Sequence, residues 1–263
     1  MTHPEPHVRE AGAGAAVVCL HSNASSSSQW RGLMELLSPT RHVLAPDSYG
    51  SGRSPDWPSD RSITLADEVA LIAPLLARVT PPVALVGHSY GAAVALKAAL
   101  TAPVSALVLY EPTLFALVDA TVPPPNHADG IRDAVGAAAA ALDRGDRDAA
   151  AGAFIDYWMG DGSWAATPAQ RKPPITDSIV NVRRWAHALF TEPAPVQAFS
   201  RLDMPILYML GRRTTGSARG VAQVLIPALA RVRVVEFDGL GHMGPITHPE
   251  VVNAEIQRFL EQV

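Results

Sequence analysis

The stretch Val83 to Gly91, VALVGHSYG, constrains this chain more than any other. A short apolar run ends in Gly87-His88-Ser89-Tyr90-Gly91, and AAVALKAAL follows at once with strong helix formers. The order spells buried strand, sharp turn, helix. Such a turn drives its central residue into a strained backbone conformation. Strand and helix then pass so closely that the positions two before and two after it must be small. Gly87 and Gly91 meet that need, and G-x-S-x-G in this context is the pattern of a nucleophile elbow. Ser89 Oγ is therefore expected at the carboxyl end of the strand, where open parallel sheets place ligands.

The chain on either side of the elbow repeats one grammar. Val17 to Leu20 and His42 to Ala45 read as buried strands. Between them SSQWRGLMELLS places Trp30, Leu33, Leu36 and Leu37 on one helix face, with Pro39 as the stop. Thr64 to Val79 predicts a second helix, opened by a Thr64/Asp67 capping box, with Leu65, Val69, Ile72 and Leu76 along one side and a bend or break at Pro74. After the elbow helix comes another apolar run, SALVLY, ending at Tyr110. Strands alternating with helices predict an α/β protein with a mostly parallel sheet flanked by helices on both faces.

From Pro112 to Ser200 the alternation fails. AVGAAAAALDRGDRDAAAGAFIDYW and SIVNVRRWAHALF read as helices, and Pro123 to Pro125 suits a linker. The expected organisation is one core from residues 1–111 and 201–263 with a helical insertion over 112–200. Half of the chain's aromatic residues fall in that insertion: Phe115, Phe154, Tyr157, Trp158, Trp164, Trp185, Phe190 and Phe199. They serve either as its own packing core or as the lining of an apolar pocket over Ser89. Sheet grammar resumes with MPILYML, a helix from about Ser217 that Pro227 interrupts, and VRVVEF. Pro249 to Glu261 closes as an amphipathic helix with Val252, Ile256, Phe259 and Leu260 inward.

Composition narrows the partners. The formal net charge of -4 comes without long blocks of one sign, which argues against a nucleic-acid surface or an anionic-membrane patch and for a small-molecule partner. The single cysteine, Cys19, lies inside AAVVCL and reads as a buried thiol. The amino-terminal MTHPEPHVRE lacks the apolar stretch of a signal peptide, so a cytoplasmic protein is expected. No H-E-x-x-H or paired Cys/His spacing suggests a metal.

A serine hydroxyl is a weak nucleophile until a base takes its proton, so the elbow predicts a histidine delivered later in the chain. Of nine histidines, His242 in DGLGHMGP fits, because its loop leaves the sheet just past the strand ending at Phe237. His248, at a helix start, reads as a capping or surface residue. Acyl transfer also needs donors for an oxyanion. The elbow supplies the backbone N–H of Tyr90, and the loop after the Val17 strand, HSNASSSSQW, offers that of Asn23.

LHSNASSSSQW, APDSYGSGRS, LVGHSYGAA and GLGHMGPITHPE occur in the order seen in α/β-hydrolase-fold enzymes, and over about residues 17 to 260 the chain resembles that family. The resemblance implies a helical cap inserted after the strand that follows the elbow, and a Ser, acid, His order along the chain. The first loop has Ser22 where the family usually has glycine. The loop after PILYML, the family's usual place for the acid, reads GRRTTGSARG and holds no carboxylate. Some members carry the acid after the preceding strand, and there Glu111 follows SALVLY. Asp238 is the alternative, and an incomplete triad is the third possibility. Haloalkane dehalogenases and the main type of epoxide hydrolase attack with an aspartate at the elbow, and Ser89 argues against both. The expected activity is a cofactor-independent serine hydrolase acting on a small apolar ester. The alternatives are a carbon-carbon bond hydrolase or lyase, or a small-molecule receptor on the same scaffold.

Overall fold

The computed structural model describes residues 4–263, so the first three residues of the amino-terminal stretch considered above lie outside it. The apolar runs form β1 (Val8–Ala11), β2 (Ala15–Leu20), β3 (Arg41–Pro46), β4 (Val83–His88), β5 (Ala106–Tyr110), β6 (Ile206–Gly211) and β7 (Val232–Phe237). They make one sheet in the order β1-β3-β2-β4-β5-β6-β7, parallel throughout except for β1 against β3. The chain runs outward from β2 to β3 and then crosses back to β4. The crevice between the carboxyl ends of β2 and β4 is therefore the topological switch point, the usual seat of a ligand in such a sheet.

Alternation along the strands divides the core in two. Val83 and Leu85 face one side of the sheet, and Ala84 and Val86 the other. On the second side α1 (Arg31–Leu37) and α13 (Pro249–Leu260) pack Leu33, Leu37, Val252, Ile256 and Phe259 against the strands. On the first, α2 (Leu65–Arg78), α3 (Tyr90–Ala99) and α11 (Gly216–Leu225) do so with Leu71, Leu75, Leu96 and Val221. Both faces are covered, as the strand-helix alternation predicts.

Between β5 and β6 stand α4 (Phe115–Thr121), α5 (Asp129–Asp143), α6 (Arg147–Met159), α7 (Ser163–Ala166), α8 (Lys172–Ser178), α9 (Val182–Phe190) and α10 (Val196–Phe199), with no strand among them. Their buried residues, Phe154 and Trp185 among them, belong to the same apolar cluster as the first face of the sheet. Lys97 of α3 donates to the buried carboxylate of Glu192 at 2.7 Å, a polar tie between the insertion and the sheet's helices. α12 (Gly244–Thr247) links the loop after β7 to α13.

Several local expectations differ from what is observed. β1, VREA, has no apolar run and owes its strand to pairing with β3. Helix α2 runs through Pro74 without interruption: Ala70, whose carbonyl the proline cannot bond, lies on the exposed face, so the missing bond is not in the core. Leu36 is exposed while Leu33 and Leu37 are buried. Val69 and Leu76 are only half-buried, since the inward face of α2 runs through Leu65, Glu68, Leu71, Ile72 and Leu75. The long alanine-rich segment is two helices, because Gly145 takes a positive φ of 76° and Asp146 caps α6 by accepting from the Ala149 N–H at 2.9 Å. Among the described residues no helix is long and apolar enough to cross a membrane.

Candidate active site

The turn between β4 and α3 places Ser89 at φ 56°, ψ -115°, a conformation that costs on the order of 1–3 kcal/mol for a residue with a side chain. The close passage of strand and helix enforces it. A Cβ on Gly87 would come to 2.5 Å from Ala92 Cα, and one on Gly91 would overlap the carbonyl oxygen of Leu20. The Ser89 N–H donates to the Tyr110 carbonyl at 2.9 Å, which carries the β4-β5 pairing one residue past the strand and into the turn. Only two other described residues besides glycine have positive φ, Ala24 and Glu111. The three lie in the loops after β2, β4 and β5, all at the carboxyl edge of the sheet.

These loops and the one after β7 converge. His242 Nε2 lies 2.9 Å from Ser89 Oγ, and His242 Nδ1 lies 2.7 Å from Glu111 Oε2. All three side chains are buried. Glu111 is fixed by two further donors: the Gly211 N–H reaches Oε1 at 2.7 Å and the Thr214 hydroxyl reaches Oε2 at 2.6 Å. A carboxylate surrounded only by donors requires His242 to give its Nδ1 proton to Glu111, which leaves Nε2 as the acceptor facing Ser89. Thus the end of β6 and the acid-free loop after it supply the Gly211 amide and Thr214 to a carboxylate held just past β5. Asp238 is not brought to His242; its side chain is 86% exposed and pairs with Arg212 at 2.9 Å. His248 sits exposed at the start of α13, with Nδ1 2.9 Å from the Thr247 hydroxyl.

A second layer of polar groups, which sequence reasoning missed, holds the histidine loop. Ser22 donates to Gln29 Oε1 through its N–H at 3.2 Å and its hydroxyl at 3.1 Å, so the Gln29 amide nitrogen faces His88 Nδ1 at 3.1 Å. His88 Nε2 in turn donates to the His242 carbonyl at 2.9 Å. Burial foremost, and then the neighbouring His242, hold His88 well below the usual histidine range, so it serves as a neutral strut. His21 is likewise lowered, chiefly by burial; its Nδ1 donates to the Ser22 carbonyl at 2.7 Å and its Nε2 accepts the Ser48 N–H at 3.0 Å. The sequence signal for His88 was its place inside the elbow, and for Ser22 the departure from glycine. On the other side Trp158 of α6 stacks on the His242 ring, with centroids 3.9 Å apart and planes at 25°.

Beside Ser89 lies a narrow cavity, walled by Phe115, Phe154, Trp158, Trp185, Leu189 and Phe190 and reached by Asn23 and Thr113. Five of the eight insertion aromatics thus serve the pocket, while Tyr157, Trp164 and Phe199 pack elsewhere. The centre of a water-sized molecule has about 20 Å³ there, little more than one water needs. Tyr90, the first residue of α3, leaves its backbone N–H outside the intrahelical ladder, as helix starts do. Its side chain is anchored below the sheet edge, where its hydroxyl donates to Glu68 Oε1 at 3.1 Å. Glu68 also accepts the Tyr49 N–H at 3.3 Å, and burial pushes its carboxyl up to about 8.

Known proteins resemble this chain in sequence or in fold. Lipase LipV of Mycobacterium tuberculosis is 32% identical over 271 residues, covering 94% of this chain and 93% of that protein. An alpha/beta hydrolase from a Medee basin deep-sea metagenome library superposes with a TM-score of 0.79 at 18% identity, covering 98% of this chain and 94% of the other. A thermophilic esterase from Thermogutta terrifontis does so with a TM-score of 0.73 at 21% identity, covering 97% and 93%. At those identities the two structures speak for the fold. The family model described as "Alpha/beta hydrolase family" matches residues 17–255, from β2 into α13, and so takes in every loop that meets at Ser89. With nine-tenths of its length inside that match, this chain belongs to the alpha/beta hydrolase family.

Proposed function

We propose that the protein is a cytoplasmic serine hydrolase that cleaves a small, largely apolar ester through an acyl-enzyme. The observation that carries this reading is the unbroken chain from Ser89 Oγ through His242 to Glu111, with links of 2.9 and 2.7 Å. Ser89 attacks the ester carbonyl while its proton passes to His242 Nε2. Glu111 holds the Nδ1 proton and stabilises the imidazolium that forms. The oxyanion is received by the N–H of Tyr90 and, from the loop after β2, that of Asn23. As the tetrahedral intermediate collapses, the carbon-oxygen bond to the leaving alcohol breaks and His242 Nε2–H protonates that oxygen. Water, deprotonated by the same nitrogen, then attacks the acyl carbon and restores Ser89.

In this reading residues 112–200 act as a cap. Trp158 excludes water from one face of His242, and an aromatic face against an imidazolium is electrostatically favourable. The similarity to a lipase along nearly the whole chain supports ester chemistry. A non-catalytic receptor drew its main argument from the missing acid after β6, and the contact between Glu111 and His242 removes that argument. A fluorophosphonate probe tests the proposal. The wild type is expected to be labelled on Ser89 and Ser89→Ala to stay unlabelled; a folded wild type that resists the probe would overturn it.

A further inference from the structure

Thr113 stands two residues after Glu111 and lines the cavity beside Ser89. The residue is 1% exposed, and its hydroxyl oxygen is closed off from solvent without a hydrogen-bond partner on the protein. Most buried hydroxyls in native proteins are satisfied, and a threonine can reach its own local backbone to become so. Here the remaining cavity wall, apart from Asn23 and Ser89, is aromatic and aliphatic. The hydroxyl is also rigidly placed. Pro112 restricts the chain before it, the Thr113 carbonyl accepts the Phe115 N–H at 2.9 Å, and Glu111 is anchored through both carboxylate oxygens and through its own N–H to Met209 O.

We infer that Thr113 Oγ1 is a specificity contact, and that the preferred substrate is an ester whose acyl group carries a hydrogen-bonding oxygen, a hydroxyl or a carbonyl, which pairs with it. The inference rests on the hydrolase reading and deepens it. The hydroxyl oxygen is already beyond the reach of solvent in the free protein, so no water bond offsets its burial, and the side chains around the cavity must give way for an acyl chain to enter. An unsubstituted chain would then bury the hydroxyl unpaired against methylenes. An oxygen-bearing chain would supply the bond that the hydroxyl lacks. The acyl half is assigned to this enclosed space because it stays on Ser89 after the alcohol has left and must be held through the second attack.

The experiment compares kcat/KM for 4-methylumbelliferyl butanoate with the 2-, 3- and 4-hydroxybutanoates, in the wild type, in the isosteric Thr113→Val and in the hydroxyl-retaining Thr113→Ser. At least one hydroxylated ester is expected to exceed butanoate in the wild type, by roughly 5- to 150-fold, the span that an unpaired buried hydroxyl represents. In Thr113→Val that ratio should fall towards one, because the hydroxylated ester becomes slower; Thr113→Ser should preserve the preference. A wild type that hydrolyses butanoate with no preference for any hydroxylated ester, or a preference unchanged in Thr113→Val, overturns the inference and leaves the hydrolase reading intact. A folded wild type that is neither labelled by fluorophosphonate nor active on any ester overturns both.

Discussion

At the scale of single residues the site depends on how each polar side chain is held. Glu111→Gln tests this directly. The amide keeps an acceptor for the Gly211 N–H but turns an N–H towards His242 Nδ1, which forces the ring proton onto Nε2 and leaves Ser89 without a base. The expected result is a folded enzyme with kcat lower by about 10⁴-fold, whereas Asp238→Asn, at an exposed carboxylate paired with Arg212, stays near wild type in the same assay. Glu68 gives a pH prediction. Its carboxyl, pushed up to about 8 by burial, binds its proton more tightly in the folded chain than in the unfolded one, where the value is 4.5. Across that interval the folded state holds more protons, so stability falls as pH rises, by at most about 1.4 kcal/mol per pH unit. Glu68→Gln removes this slope; thermal melts from pH 5 to pH 8 should show the variant gaining on the wild type as pH increases, and parallel curves would refute the assignment. Ser89 and Glu111 could be singled out in the sequence because each directly follows a strand, and His242 because its loop begins where β7 ends, but the choice between Glu111 and Asp238 was left open. Thr214 and Gln29 could not be, since nothing in their local sequence distinguishes a polar loop or helix residue that reaches the site from one that does not, and Trp158 stood out only as one of eight insertion aromatics.

At the scale of elements, the unit that matters is β4, the turn and α3. Its requirement for glycine was readable because it is local: two chain segments crossing at van der Waals distance leave no room for a side chain. Gly91→Ala drives a methyl group into the Leu20 carbonyl on the neighbouring strand β2, and neither backbone can retreat without breaking the ladder between β2 and β4. The variant should lose both solubility and probe labelling, and Ala92→Gly at the next position, which adds no atom, should not; equal melting temperatures for Gly91→Ala and wild type would show that the crossing is looser than the contact with Leu20 implies. Pro74 marks the limit of local reading. Whether a proline breaks a helix depends on which side its orphaned carbonyl faces, and that is decided by the packing of α2 on the sheet.

At the scale of the whole molecule, the fold class was readable from the alternation of strands and helices. The order of strands was not, because pairing is a property of segments far apart in the chain: β5 finds its second neighbour, β6, only after the seven helices of the insertion. That order has a consequence during synthesis. β5 reads Ala-Leu-Val-Leu-Tyr, with every residue buried in the finished protein and no charge to discourage a wrong partner. From the moment it is made until Ile206 emerges nearly a hundred residues later, it is a bare edge. At ordinary rates of translation this lasts about 5 to 20 s. A chain stopped at Asp203 should therefore sediment as aggregate, and Val108→Lys in that truncated chain should keep more of it in the supernatant. The nascent polypeptide thus passes through a sticky adolescence in which the strand bearing its future acid most resembles the seed of a fibre, and the ribosome-bound chain has reason to recruit a chaperone before it has a substrate.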